Sequence, residues 1–271
     1  MKSFPAFGIL LRSRGQLTQV RTLLADNSGL PGPRANLELA YSFAASVSGM
    51  RLEDWQWDFL MEMACISLAN APENTPKVFL PVCGLLALGA LYGNGLPRSR
   101  RRAALAALTS AASDQRWRVR EGAAMALQLI GEKDLPALRE IVTNWLPKAS
   151  CLEMRAIAAG LAHPPLLSDG EFVLFCLDAA RTILAAVSRA EEKVRKENSF
   201  RVLRQGMGYA LSVFVAHCPD QGFALMRKSA AVRDPDVAWI IRENLKKKRL
   251  IGPFAADVKK VQFIADEANV R

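Results

Sequence analysis

The chain has 271 residues, with 36 lysines and arginines against 26 aspartates and glutamates, a formal charge of +10. Its hydrophobic share of 51% excludes a disordered polypeptide and is enough for a continuous core, while only 7% is aromatic. Alanine and leucine dominate the apolar positions, which favours closely packed helices. The charge itself says nothing of fold; it suits solubility or an anionic partner.

Apolar residues recur at i, i+3, i+4 and i+7 along nearly the whole chain, and no stretch alternates long enough to predict a strand. The first predicted helix covers 6–25, in a segment carrying Lys2, Arg12, Arg14 and Arg21 but no acid. That bias is faintly like a transit peptide; Pro5 and the lack of a small-residue cleavage site favour an ordinary helix. Gly29-Leu30-Pro31-Gly32-Pro33 then breaks the chain, and helices follow at 34–48 and 53–70. Residues 78–97 hold no charge and precede Arg98, Arg100, Arg101 and Arg102, which fits a membrane span with a basic flank. Pro81 and Gly93-Asn94-Gly95 shorten the strongly apolar part, so a helix at 76–92 buried between neighbours is expected.

Further helices are predicted at 98–112, 115–130, 133–146 and 151–162. After the His163-Pro164-Pro165 break they continue at 168–196, 199–217, 219–231, 236–248 and 254–267. The run from Glu191 to Asn198, with Lys193, Arg195 and Lys196, reads as the exposed end of a long helix or an insertion. No break has the look of an interdomain linker, so 1–271 is expected to form one array.

Internal repetition is the most informative signal. The segment running from Asp114 through Arg116, Trp117, Val119 and Arg120 to Ala123 and Leu127 has a near copy from Phe200 to Leu211, containing Arg204, Gly206 and Ala210. Shorter echoes run from Asp234 to Leu245 and from Glu153 to Leu161, with Arg242 and Arg155 in the arginine position. This pattern resembles the second helix of HEAT repeats, most clearly over 114–161 and 199–245. The resemblance implies an all-α fold, a right-handed α-solenoid (superhelix) of antiparallel helix pairs, armadillo-like in architecture. Asp114 and Asp234 would start helices and cap free N–H groups. Val119 and Ile241 would enter the core, and Ala123, Ala126, Gly206 and Ala210 would let repeats pack closely. In such arrays the arginines commonly pair with aspartates of a neighbouring repeat. Arg120, Arg155, Arg204 and Arg242 therefore serve either a buried ladder or an anion-binding surface.

No Walker loop, GxGxxG, GxSxG or HExxH motif is present, and His163 and His217 are too isolated to suggest a metal site or triad. Neither a catalytic residue nor a cofactor, metal or small-molecule substrate is expected. HEAT-like DNA-alkylation-repair glycosylases share this architecture, and Trp55-Gln56-Trp57-Asp58-Phe59-Leu60-Met61-Glu62 is the segment nearest their catalytic run. Met61 stands where that run has its catalytic carboxylate, and Glu62 lies one position on, about 100° around a helix. Five widely spaced cysteines without a CxxC pair read as small core residues of a reduced, cytoplasmic protein.

The basic clusters carry the functional expectation. Arg98, Arg100, Arg101 and Arg102 open one predicted helix, Arg116, Arg118 and Arg120 open the next, and Lys246, Lys247, Lys248 and Arg249 close another. The last cluster would also suit a negative helix end. With the repeat arginines, these are the candidate nucleic-acid or anion-binding residues of a non-enzymatic scaffold. Its expected partner is an acidic macromolecule, nucleic acid or protein, and not a membrane. A DNA-alkylation-repair glycosylase and a purely structural protein–protein adaptor remain the alternatives.

Overall fold

The computed structural model of the chain describes residues 7–92 and 96–270, with the side chains of 269 and 270 left aside. Readings that fall on Lys2, Pro5 and Gly93-Asn94-Gly95 lie outside the described residues. Among those described, every regular element is a helix. The chain gathers into two compact units divided after Leu138.

The first unit contains α1 (Phe7–Leu10), α2 (Leu17–Asp26), α3 (Leu37–Ser48), α4 (Asp54–Ala64), α5 (Phe79–Tyr92), α6 (Arg98–Ala112) and α7 (Trp117–Lys133). At its centre is α5, which packs against α3, α4 and α7 and buries every residue from Phe79 to Leu91. That explains the charge-free run: a helix with neighbours on all sides can bury no unpaired charge. Pro81 sits in its first turn, where the missing N–H is tolerated. No helix among the described residues is long and apolar enough to cross a membrane.

Two glycines set how closely the neighbours of α5 approach. A Cβ on Gly84 would stand 2.4 Å from the Ala64 amide nitrogen, and one on Gly89 would stand 2.6 Å from the Ala126 carbonyl oxygen. Both obstacles are backbone, so neither can swing aside. Gly89→Ala is therefore expected to force α5 and α7 apart and cost about 2 kcal/mol, read as a lower denaturation midpoint.

The first predicted helix, 6–25, is two helices, because the chain turns at 11–16 and a 3-10 turn over Arg14–Gln16 intervenes. The helix predicted at 53–70 stops at Ala64. Beyond it, the carbonyls of Ile66 and Ala71 accept from Arg116, and that of Ser67 accepts from Arg116 as well as from the amides of Asn70 and Ala71.

Helix α8 (Leu135–Trp145) begins in the first unit and ends in the second. The second unit continues with α9 (Cys151–Leu161), α10 (Gly170–Ser188), α11 (Glu192–Arg195), α12 (Asn198–His217), α13 (Pro219–Ala230), α14 (Pro235–Leu245), α15 (Lys248–Ile251) and α16 (Ala255–Val270). Here α12 is central, packed on α9, α10, α13 and α14. Two helix starts are capped by side chains at their own ends: Ser150 and Glu153 form a reciprocal box, and Asp169 accepts from the Phe172 amide. The long helix expected at 168–196 ends at Ser188 and resumes as the short α11.

All five cysteines are free thiols. Only Cys83 and Cys176 are core residues, with burial pushing both thiols up; Cys65 is exposed, and Cys151 and Cys218 are half-buried. The expectation of five core cysteines is corrected to two.

Candidate binding surface

Arginines in the repeat positions divide into those the fold consumes and those it leaves in solvent. Arg116 is the clearest of the first kind, with a side chain only 3% exposed. Its Nε and one Nη donate to the two oxygens of Asp114 at 2.9 and 2.7 Å. The remaining donors reach the carbonyls of Ile66 at 2.8 Å, Ala71 at 3.0 Å and Ser67 at 3.3 Å. All five N–H groups of the guanidinium are thus engaged. Asp114 does not cap α7 directly; Arg116 holds that place, and the carboxylate accepts instead from the Arg116 amide at 2.7 Å. Burial pushes the Asp114 carboxyl up, but the hydrogen bonds and charge of Arg116, with the charge of Arg120, outweigh it. The net effect lowers it below the ordinary carboxylate value.

Arg118 is also buried. It donates to Glu73 at 2.9 Å, to Asn74 at 3.3 Å and to the Gly32 carbonyl at 3.1 Å, and its guanidinium lies 4.3 Å from the Trp117 ring centroid. Arg120 turns back to the carbonyls of Asp114 and Gln115 at 2.7 and 2.9 Å. These contacts put Arg116 and Arg118 out of reach of an anion, since every donor of Arg116 is taken and Arg118 is enclosed with both of its Nη groups donating. Arg120 spends its donors chiefly on its own helix start.

In the second unit one arginine–aspartate pair of the expected kind, Arg204 with Asp236, is present, joined by an arginine that sequence reasoning missed. Asp236 accepts from Arg204 and Arg195, both at 2.6 Å, and Arg195 also donates to Asp234 at 2.7 Å. Asp234 caps α14 through the amides of Asp236 and Val237. Arg204 in addition lies 4.6 Å from the Trp239 ring centroid. Arg195 was read as part of a solvated run because its partners stand 39 and 41 residues away. The signal that would have found it is the pair of carboxylates at the start of α14, too many for one arginine to balance. Arg155 lays its stem against Gly206, where an added Cβ would meet its Cγ at 3.0 Å. Arg242 reaches the Ala265 carbonyl at 3.3 Å and Asp266 at 3.5 Å, both on α16.

Two of the basic clusters named from the sequence keep cations in solvent. Arg98, Arg101 and Arg102 are exposed at the start of α6, where Arg100 alone is drawn in, donating to Asp54 at 2.6 Å and lying 5.3 Å from Trp57. The first turn of α6 has no acidic residue, and its capping position is Pro97, which supplies no side-chain acceptor. In the second unit Lys246 pairs with Glu243 at 2.5 Å, beside the negative end of α14. Lys247 and Arg249 lie 6.0 and 4.6 Å from the Tyr209 ring, and Lys248 is exposed.

At the segment compared with glycosylases, Trp57 is buried and Asp58 exposed, while Glu62 accepts from Arg21 at 2.7 Å. Met61 leaves the position of the family's catalytic carboxylate without an acid.

Residues 87–151 match the family model of HEAT repeats. No curated protein matches the chain. Among solved structures the chain is similar to the crystal structure of an engineered protein from the Northeast Structural Genomics Consortium, at 13% identity and a TM-score of 0.35, over 98% of this chain and 96% of that one.

Proposed function

We propose that this chain, whose residues 87–151 carry HEAT repeats, is a non-enzymatic scaffold that holds an acidic macromolecule at the start of α6. HEAT repeats are binding modules, and the repeat match continues past Leu138, which supports treating 1–271 as one array in sequence. The observation that carries the proposal is the placement of Arg98, Arg101 and Arg102. They stand exposed at the positive end of a helix dipole, where cations destabilise the helix by roughly 0.3–1 kcal/mol each. Elsewhere in the chain acids are spent on arginines of the fold: Asp114, Glu73, Asp234 and Asp236. The exposed surface therefore keeps the positive excess, and an incoming polyanion would relieve the crowding at α6 while gaining the free helix amides.

A phosphate backbone meets these requirements without base reading. Duplex DNA and polyglutamate are the probes, each titrated over a range of salt. The parent protein is expected to bind at least one of them, more weakly as salt rises. On duplex DNA, replacing Arg98, Arg101 and Arg102 together by glutamine should reduce the slope of log affinity against log salt by about 2.7, if each arginine meets one phosphate. No binding to either polyanion, or an unchanged slope, would remove α6 as the site.

A further inference from the structure

A second surface of the first unit is apolar and has no part in the cation cluster. Between the 33–38 segment, α5 and α7 lies an open groove of about 540 Å³. Its floor is Phe79, Val82 and Met125; its lips are Leu37, 45% exposed, and Trp117, 47% exposed. Two large apolar side chains are thus left partly in solvent on the rim of one groove, and aromatic residues of that kind anchor interfaces.

The groove is fixed in shape before anything enters it. Arg118 donates to the Gly32 carbonyl at 3.1 Å, the Gly32 amide to Gly29 at 3.0 Å, and the Asn36 amide to Ser28 at 2.8 Å, so the 28–36 wall is tied down. The same guanidinium lies against the Trp117 ring, while half of that side chain stays open. Arg118 is thus a residue that positions both lips. Preorganisation of this sort lowers the ordering cost of binding.

Charge around the groove selects the occupant. Arg34 is exposed at one lip, but Glu38 and Glu121 also line it. A nucleic acid or any polyanion would meet two carboxylates there, whereas a protein segment with one well-placed acid would not. We propose that this groove docks a segment of a partner protein that inserts one large apolar side chain between Leu37 and Trp117 and sets an adjacent carboxylate against Arg34. The site is separate from the α6 arginines, and its occupant is chemically distinct from a polyanion.

A library of random twelve-residue peptides displayed on phage, selected against the full chain, provides the probe. Enriched peptides are expected to share an aromatic or leucine residue next to an Asp or Glu. Binding of the most enriched peptide, measured by fluorescence polarisation, should weaken about thirtyfold in Trp117→Ala and about fivefold in Arg34→Glu. Leu37→Ser, at the opposite lip, gives a second loss that does not depend on α7, and circular dichroism confirms that each variant is folded. The glutamine variant of Arg98, Arg101 and Arg102 should bind the peptide as the parent does, so the two sites fail or succeed independently. No enrichment, or peptides that bind the lip variants as tightly as the parent, would overturn the proposal. So would a dimer dispersed by Trp117→Ala, or a small molecule that co-purifies in the groove.

Discussion

Arg116→Ala is expected to destabilise the chain by about 3–5 kcal/mol, a large share of what holds a domain together. The side chain is enclosed, so water cannot take over its duties. Its loss takes the donor from a half-buried carboxylate on Asp114 and from the loop carbonyls of Ile66 and Ala71, while Ser67 keeps the amides of Asn70 and Ala71. Arg116→Lys should recover only part of this, because one ammonium has three donors and cannot span a carboxylate and a loop together. Urea denaturation of the three proteins at neutral pH is the measurement. A loss under about 1 kcal/mol would mean that the 66–71 loop finds other partners. The pair also carries a pH signature. Since Asp114 titrates lower in the folded state than in the unfolded chain, its contribution is present above the ordinary carboxylate value and disappears as pH falls through the lowered one. Arg116→Ala should therefore lose part of its disadvantage in strong acid.

Asp236→Ala is expected to cost about 3 kcal/mol. Asp236 is 9% exposed and balances two arginines that arrive from α11 and α12. Without it, Arg204 keeps the Trp239 ring, and Arg195 keeps Asp234 and two carbonyls. Asp236→Asn separates charge from shape: an amide can accept from one guanidinium but cannot neutralise two. Combining Asp236→Ala with Arg204→Met should cost less than the sum of the two changes, since the second removes a charge that the first stranded. Strict additivity in thermal melts would show that Asp236 and Arg204 act separately.

These two arginine sites also explain where sequence reasoning succeeded and where it stopped. Local signals were sufficient wherever a helix is made by its own periodicity and its own ends. The helix predicted at 98–112 is α6, and the charge-free run became the buried α5 because its apolar residues cover every face. Prediction failed where a guanidinium from beyond the helix end takes carbonyls at that end. Arg116 does this beyond Ala64, and Arg195 does it at Ser188 and Ala190. Nothing within 53–70 announces the first contact, because Arg116 is far along the chain, and Arg195 stands past the break, five and seven residues beyond the carbonyls it holds.

The candidate surface was legible in the same uneven way. Composition and spacing identified the clusters, but they could not rank Arg98 against Arg116, which differ in burial and not in local sequence. Trp117 stood inside the quoted repeat without a role, since period alone cannot tell a lip residue from a core residue. The ladder was expected as a family habit; its members were correct at Arg204 and incomplete without Arg195.

Helix α5 has a consequence for anyone dividing this chain. Stripped of α3, α4 and α7, it would present thirteen consecutive apolar residues, Phe79 to Leu91, with Arg98 to Arg102 close behind. A fragment beginning or ending among these helices would carry the hallmarks that membrane-insertion and quality-control machinery recognise. Boundaries for expression therefore have to keep 37–133 whole, and a nick there would turn a core element into an adhesive one.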